Sequence, residues 1–123
     1  MHILLADDDE SIAAVARLGL RRAGFTVTIV ADGRTALAAA RATAFDALVL
    51  DWNMPELDGI DVCRQLMSDE AWPKVPIVFL TAASHAGAEQ EALAAGARGV
   101  IAKPFDPMTI GGQVTALIGT PSV

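Results

Sequence analysis

Four groups of side chains in this sequence have the types and spacing to do chemistry together: the acidic run Asp7-Asp8-Asp9, then Asp51, Thr81 and Lys103. Each follows a short apolar run, over residues 3–6, 47–50, 77–80 and 99–102 respectively. Runs this short, bounded by polar residues, read as strands, and a continuous run such as 47–50 suits a central parallel strand buried on both faces. In a parallel sheet the carboxyl ends of the strands share one edge, so these side chains converge there. Crowded carboxylates repel one another, and a small divalent cation relieves the repulsion. Mg²⁺ prefers hard oxygen ligands in octahedral geometry and keeps several waters; two carboxylates, a loop carbonyl and water would suit it. Lys103 adds a compact positive charge and Thr81 a hydroxyl. Such a site can hold a phosphoryl group by its oxygens while a carboxylate attacks phosphorus. Asp51 is the residue around which the rest is arranged. It ends a strand, Met54-Pro55 then forces an extended or turn conformation, and Asp58-Gly59 opens the next element.

The elements that must position these groups alternate regularly. After the first strand, residues 11–23 carry Ile12, Val15, Ala16 and Leu18 to Leu20 at helical spacing, with Arg17, Arg21 and Arg22 on the other side. Gly24 stops that helix. A β-branched strand over 25–30 follows, then Asp32-Gly33, a turn that can cap an alanine-rich helix over 34–42. A third helix covers 59–68, with Ile60, Cys63 and Met67 on one face, and a loop around Trp72-Pro73 leads to the fourth strand. A helix over 86–95 closes at Gly96, and a last helix over 107–118 contains Gly111-Gly112, which should weaken it. Five strand–helix alternations with short loops imply a parallel α/β sheet covered by helices on both faces.

With 123 residues the chain is long enough for one domain with its own core, without disulfides or a structural metal. No apolar run reaches the length of a membrane span, and the N-terminus lacks the pattern of a signal peptide. The single cysteine, Cys63, fits a reducing cytoplasm and suits core filling better than reactivity. A net charge of −6 with few, scattered basic residues argues against direct nucleic-acid binding.

The motifs Leu5-Ala6-Asp7-Asp8-Asp9, Asp51-Trp52-Asn53-Met54-Pro55 with Asp58-Gly59, Leu80-Thr81-Ala82 and Lys103-Pro104-Phe105 occur in this order, each at a strand end. Together they closely resemble the receiver domain of two-component response regulators, over essentially the whole chain. The resemblance implies a single receiver domain over residues 1–123 with a flavodoxin-like (βα)5 doubly wound sheet, strand order 2-1-3-4-5. It implies that Asp51 is the phosphoacceptor, supplied by a histidine kinase or histidine phosphotransfer protein. It implies that Asp8 binds Mg²⁺ directly, Asp7 mainly through water and Asn53 through its backbone carbonyl. Thr81 and Lys103 would each hold a phosphoryl oxygen, and the Lys103-Pro104 bond would be cis. Such a domain is a cytoplasmic signalling switch that catalyses only its own phosphorylation and dephosphorylation. It would signal to an output protein, which the sequence does not identify, through the helix 4–strand 5–helix 5 face. The absent linker and the short tail Thr120-Pro121-Ser122-Val123 favour a stand-alone regulator.

Several residues call for plainer readings. Asp9 suits a solvated helix start, Asp58 a turn and cap, and Trp52 packing at the edge of the site. Trp72 is a loop residue without a functional role. His2 and His85 lack partners at metal-ligand spacing, and His85 falls at a helix start. Rival functions are weaker. A haloacid-dehalogenase-type phosphatase would carry a second acid where Asn53 stands, and a dinucleotide-binding domain would need a Gly-rich turn where Asp7-Asp8-Asp9 stands. A receiver-like module that binds partners without phosphorylation is the third alternative.

Two departures from the family pattern carry consequences. The family usually places an aromatic switch residue three positions before the lysine; here that residue is Val100, so the output face should change little through it. Two residues after the threonine, some family members carry a polar side chain that orients water, and Ala83 cannot. A long-lived phosphoaspartate is therefore expected, and Ala83→Glu should shorten its lifetime severalfold in a phosphate-release assay. An unchanged rate would refute this reading.

Overall fold

The computed structural model describes residues 1–82 and 86–119; Ala83, His85 and the last four residues lie outside that set. Ten elements alternate along the chain: β1 (His2–Ala6), α1 (Glu10–Arg22), β2 (Thr26–Val30), α2 (Gly33–Ala42), β3 (Ala47–Asp51), α3 (Gly59–Ser68), β4 (Ile77–Ala82), α4 (Ala88–Ala94), β5 (Gly99–Lys103) and α5 (Ile110–Ile118). The strands form one parallel sheet in the order β2-β1-β3-β4-β5. This is the doubly wound, flavodoxin-like order implied by the motif resemblance.

Burial explains why the apolar runs become strands. Ile3 to Ala6 and Ala47 to Leu50 are fully buried, as are Ile77 to Leu80. Alternate residues of each strand feed two separate cores. Leu4, Ala6, Leu48, Leu50, Ile77 and Phe79 pack under α2, α3 and α4. Ile3, Leu5, Val49, Val78 and Leu80 pack under α1 and α5.

Local chemistry sets the helix ends. The Asp9 side chain accepts the Ser11 and Ile12 N–H groups at 2.9 and 3.2 Å, capping α1 as its plain reading required. Arg21 and Arg22 sit in the last turn of α1, where cations suit the helix dipole. Gly24, at φ +96°, ends it. Asp32 caps α2 through the Thr35 N–H at 2.7 Å, and these bonds hold its exposed carboxyl below the usual carboxylate range. Asp58 caps α3 through the Asp61 N–H at 3.2 Å. Trp72 lies in the loop before β4, as expected, and is buried there: its Nε1–H donates to the Ala40 carbonyl at 3.1 Å, tying the β4 approach to the end of α2.

Three expectations need correction. The buried stripe of α1 is Ala13, Ala16, Gly19 and Leu20, while Val15 and Leu18 are 39% and 55% exposed. The reason is Gly19, where an added Cβ would lie 2.4 Å from Ile110 Cγ2 and 2.5 Å from the Pro107 carbonyl oxygen. With α5 seated on a bare backbone, the face one residue away is left in solvent. Second, α5 begins at Ile110 rather than 107. Asp106 collects the Met108 N–H on its side chain at 2.7 Å and the Thr109 and Ile110 N–H groups on its carbonyl at 3.0 Å, making a separate turn. Third, α4 starts at Ala88, after Gly87 at φ +77° without a side-chain cap.

The two glycines of α5 differ. A Cβ on Gly111 would meet Ala23 Cβ at 2.4 Å, whereas nothing lies within 4 Å of one on Gly112. Gly112→Ala is expected to stabilise the fold by up to about 1 kcal/mol by improving helix propensity. Gly111→Ala should destabilise it. Urea denaturation of both variants checks the pair, and the same sign for both would contradict it.

Candidate functional site

The sheet order places β1 between β2 and β3, so the connections leaving β1 and β3 diverge to opposite faces. The crevice they leave receives Asp7 from the end of β1 and Asp51 from the end of β3. Carboxylate oxygens of Asp7, Asp8 and Asp51 lie within 4.8 Å of one another. Asp7 and Asp51 are 2% and 5% exposed, and Asp8 is open to solvent. Lys103, at the end of β5, reaches over the sheet edge to Asp51 Oδ1 at 2.9 Å and to Asp7 Oδ2 at 3.4 Å. Thr81 is buried at the end of β4, one position beyond the residue paired with Asp51. The Asn53 side chain is exposed, while its backbone N–H donates to the Asp51 carboxylate. The Lys103-Pro104 bond is cis.

The electrostatics of this cluster are unbalanced. Burial pushes the Asp51 carboxyl up from its ordinary 3.8 to about 6. The neighbouring Asp7 charge pushes the same way, and the bonds from Lys103 and the Asn53 backbone pull back without overcoming burial. Burial also disfavours the Lys103 ammonium, but its bond to Asp51 and the attraction of both acids hold its pKa above the ordinary value. Asp7 Oδ1 accepts the Asp9 N–H at 2.9 Å, and Asp7 Oδ2 is buried with no hydrogen bond among the described residues. That oxygen has the Lys103 ammonium 3.4 Å away as an ion-pair partner, and with no hydrogen bond made it can also take a metal ion. The donor set of hard oxygens, one solvent-facing, fits Mg²⁺ with retained waters.

Other candidates take structural places. Trp52 is buried and packs on Phe79 with ring centroids 4.9 Å apart. Cys63 is buried, and burial pushes its thiol up to about 11, so it is inert core. His2 bonds Thr28 Oγ1 at 2.6 Å at the opposite end of the sheet. Val100 is half-buried against the α4 side of the core. Two features of the site had no clear sequence signal: the bridge from Lys103 to two acids at once, and the close fit of Gly33 beneath Leu57. Asp32-Gly33 reads equally well as an ordinary turn.

The sequence model of the family described as the response regulator receiver domain matches residues 3–115. The chain is a response regulator receiver domain. Among curated relatives, this receiver is 36% identical to the transcriptional regulatory protein QseB of Haemophilus influenzae, over 96% of its own length and 52% of the relative's. It spans about half the length of the curated relatives it matches. Among solved structures it resembles a putative response regulator from Chloroflexus aurantiacus, with a TM-score of 0.87, 32% identity and 95% and 96% of the two chains covered. It is also similar to the receiver domain of a sensor histidine kinase from Pseudomonas aeruginosa, with TM-score 0.84, 34% identity and 97% and 98% coverage. That structure has a magnesium ion coordinated in its active site cleft. No described helix of this receiver is long and apolar enough to cross a membrane.

The raised pKa of Asp51 has a measurable consequence. Between 3.8 and about 6, the folded receiver keeps on Asp51 a proton that the unfolded chain has released. The stabilisation this brings is present on the acid side and is lost as pH rises through about 6. Near neutral pH the charged, buried carboxylate opposes folding. Without divalent cations, Asp51→Asn is expected to raise stability there by on the order of 1 kcal/mol, a gain that shrinks as pH falls towards 4. Urea denaturation at the two pH values decides; a variant less stable near neutrality would contradict it.

Proposed function

We propose that this receiver, a single domain over residues 1–123, is a phosphorylation-dependent switch of the cytoplasm. Its acceptor is Asp51, and its donor is a histidine kinase or histidine phosphotransfer protein. The observation that carries the reading is Lys103 spanning Asp51 and Asp7, where it pairs with a buried Asp7 oxygen that accepts no hydrogen bond. Asp7, Asp8, Asp51 and the Asn53 backbone carbonyl would hold Mg²⁺. When bound, that ion supplies charge neutralisation for the acids and for phosphoryl oxygens.

A carboxylate oxygen of Asp51 attacks the phosphorus of a phosphohistidine. The new O–P bond forms as the P–N bond breaks, and the imidazole leaves and takes up a proton. Lys103 exchanges part of its contact with Asp51 for a phosphoryl oxygen, and Thr81 donates its hydroxyl to another. Hydrolysis later cleaves the acyl phosphate and returns Asp51. No other substrate is turned over, so the domain is not an enzyme in the usual sense.

The surroundings suit two exchanges with other proteins. A groove of about 380 Å³ beside Lys103, lined by Ser11, Ile12, Val15, Ala82, Pro104 and Phe105, opens towards the site. It gives the donor a largely apolar surface, of which the exposed Val15 is part. A second groove of about 530 Å³ runs from Thr81 and Ala82 to Gly87, Val100 and Ala102, between α4 and β5. The phosphoryl group adds roughly −1.5 to −2 charges, and the closing of Thr81 and Lys103 around it biases the α4–β5–α5 face that an output protein reads. That bias cannot exceed the differential interaction of the phosphoryl group with the two states. With Val100 in place of an aromatic switch, the signal passes through Thr81 and the backbone of this face.

Intact-mass measurement after incubation with acetyl phosphate tests the proposal. Wild type with Mg²⁺ should gain a single phosphoryl adduct, and neither wild type without Mg²⁺ nor Asp51→Asn should gain one. A folded, Mg²⁺-binding wild type that acquires no adduct from acetyl phosphate or from a phosphorylated donor protein would refute it. The remaining reading would be a module that binds partners without phosphorylation.

A further inference from the structure

The loop that follows the acceptor, residues 52–58, is tied at both ends. The Trp52 N–H donates to the Leu80 carbonyl, and the Gly59 N–H donates to the Trp52 carbonyl, each at 2.9 Å. Gly59 lets α3 start directly on the acceptor strand, since a Cβ there would lie 2.3 Å from the Asp51 carbonyl oxygen. Among the described residues, the middle of the loop has no such backbone bond to the sheet. It turns sharply instead: the Leu57 N–H donates to the Pro55 carbonyl at 2.7 Å, and Glu56 between them sits at φ +67°. A three-residue turn with a non-glycine at positive φ is strained, and it persists only where its surroundings hold it.

Two contacts from α2 could hold this turn. One is the Arg34–Glu56 ion pair at 3.3 Å, with side chains 76% and 61% exposed, which solvent makes weak. The other is Gly33, the first residue of α2. A Cβ on Gly33 would lie 1.7 Å from the Leu57 carbonyl oxygen and 2.7 Å from its carbonyl carbon. Backbone meets backbone there, so no side-chain rotation could relieve an added methyl group. Glycine is required by this approach, and the Leu57 carbonyl is seated as close to α2 as a chain can come.

We infer that Gly33 is a positioning residue for the metal site: by seating Leu57 it holds the strained turn and, through the short closed loop, the Asn53 backbone against Asp51. Gly33 touches neither the acids nor a phosphoryl group, and it lies on an element that supplies no ligand. The inference rests on the reading above, in which the Asn53 carbonyl completes a Mg²⁺ site.

The test compares wild type, Gly33→Ala and Arg34→Ala, the last removing the ion pair but leaving the seat. In ¹⁵N–¹H spectra of the metal-free protein, Gly33→Ala should move the amide signals of the loop between Trp52 and Gly59, and leave those of β1 and β5 in place. In Mg²⁺ titrations followed by Trp52 fluorescence, Gly33→Ala should weaken binding by about 10-fold or more, as loss of a ligand's support typically does. Arg34→Ala should bind as wild type. At saturating Mg²⁺ the phosphorylation rate of Gly33→Ala with acetyl phosphate should recover, because the acceptor, Thr81 and Lys103 are intact. A folded Gly33→Ala with wild-type Mg²⁺ affinity would overturn the inference and leave the metal reading standing. A wild type that binds no Mg²⁺ would overturn the metal reading itself. Should Gly33→Ala not fold, Glu56→Gly is added to it, because glycine takes the positive φ of that turn without strain and lets the displaced loop settle. The double variant should fold and still bind Mg²⁺ more weakly than Glu56→Gly alone, and equal binding by the two would overturn the inference.

Discussion

Three carboxylates on one sheet edge, balanced by one ammonium, are the constraint on which the rest of this receiver depends. Asp7, Asp8 and Asp51 gather within 4.8 Å, and Lys103 reaches only the two buried ones. In water such a cluster would spread apart. Here each acid is fixed at a strand end, and the strands are locked by cores on both faces, so the repulsion cannot be relieved by movement. Burial, with the Asp7 charge adding to it, raises the Asp51 carboxyl to about 6, and an oxygen of Asp7 beside Lys103 is buried without a hydrogen bond. The unmet demand is for positive charge on one side and for a polar, multiply bonding group near Lys103 on the other. A divalent cation and a phosphoryl group would answer those two demands within one small site.

Topology makes the cluster possible. Because β1 lies between β2 and β3, the chain leaves β1 towards α1 on one face and leaves β3 towards α3 on the other. The crevice at that reversal is open, so the acids of β1 and β3 face one another across it without backbone between them. Thr81 on β4 and Lys103 on β5 then extend the site along the same edge. Lys103 has the longest reach to make, and its length suits a position two strands from Asp51. A shorter cation at the tip of β5 would not span Asp51 and Asp7 together.

Most of this was legible in the sequence because a central parallel strand is written plainly: short, wholly apolar, and stopped by a polar residue at the sheet edge. Ala47 to Leu50 followed by Asp51 marked the strand and where it ends, and the same logic placed Asp7, Thr81 and Lys103 on the same sheet edge. Helix caps were equally readable, since Asp9, Asp32 and Asp58 act locally. What could not be read were contacts between elements far apart in sequence. Val15 and Leu18 look like core until Gly19 is seen to bring α5 close and leave them outside. The start of α5 was misplaced because Asp106 claims the N–H groups of the preceding turn. The tight seat of Leu57 on Gly33 has no signature beyond a dipeptide common to any turn.

That division has a physical basis. Side chains that do chemistry must be of particular types, and types are visible in a sequence. The contacts that place them are largely backbone against backbone, as at Gly33 and Gly59, where the informative feature is an atom that is missing. Such contacts are stiff, because they leave no rotamer to absorb a change, and so they suit a site whose carboxylates must be held against their own repulsion. Val100 shows the opposite case. A small, half-buried side chain beside a groove between α4 and β5 leaves space there that an aromatic side chain would fill. That difference was legible as a residue type, while the groove it leaves follows from how α4 meets β5.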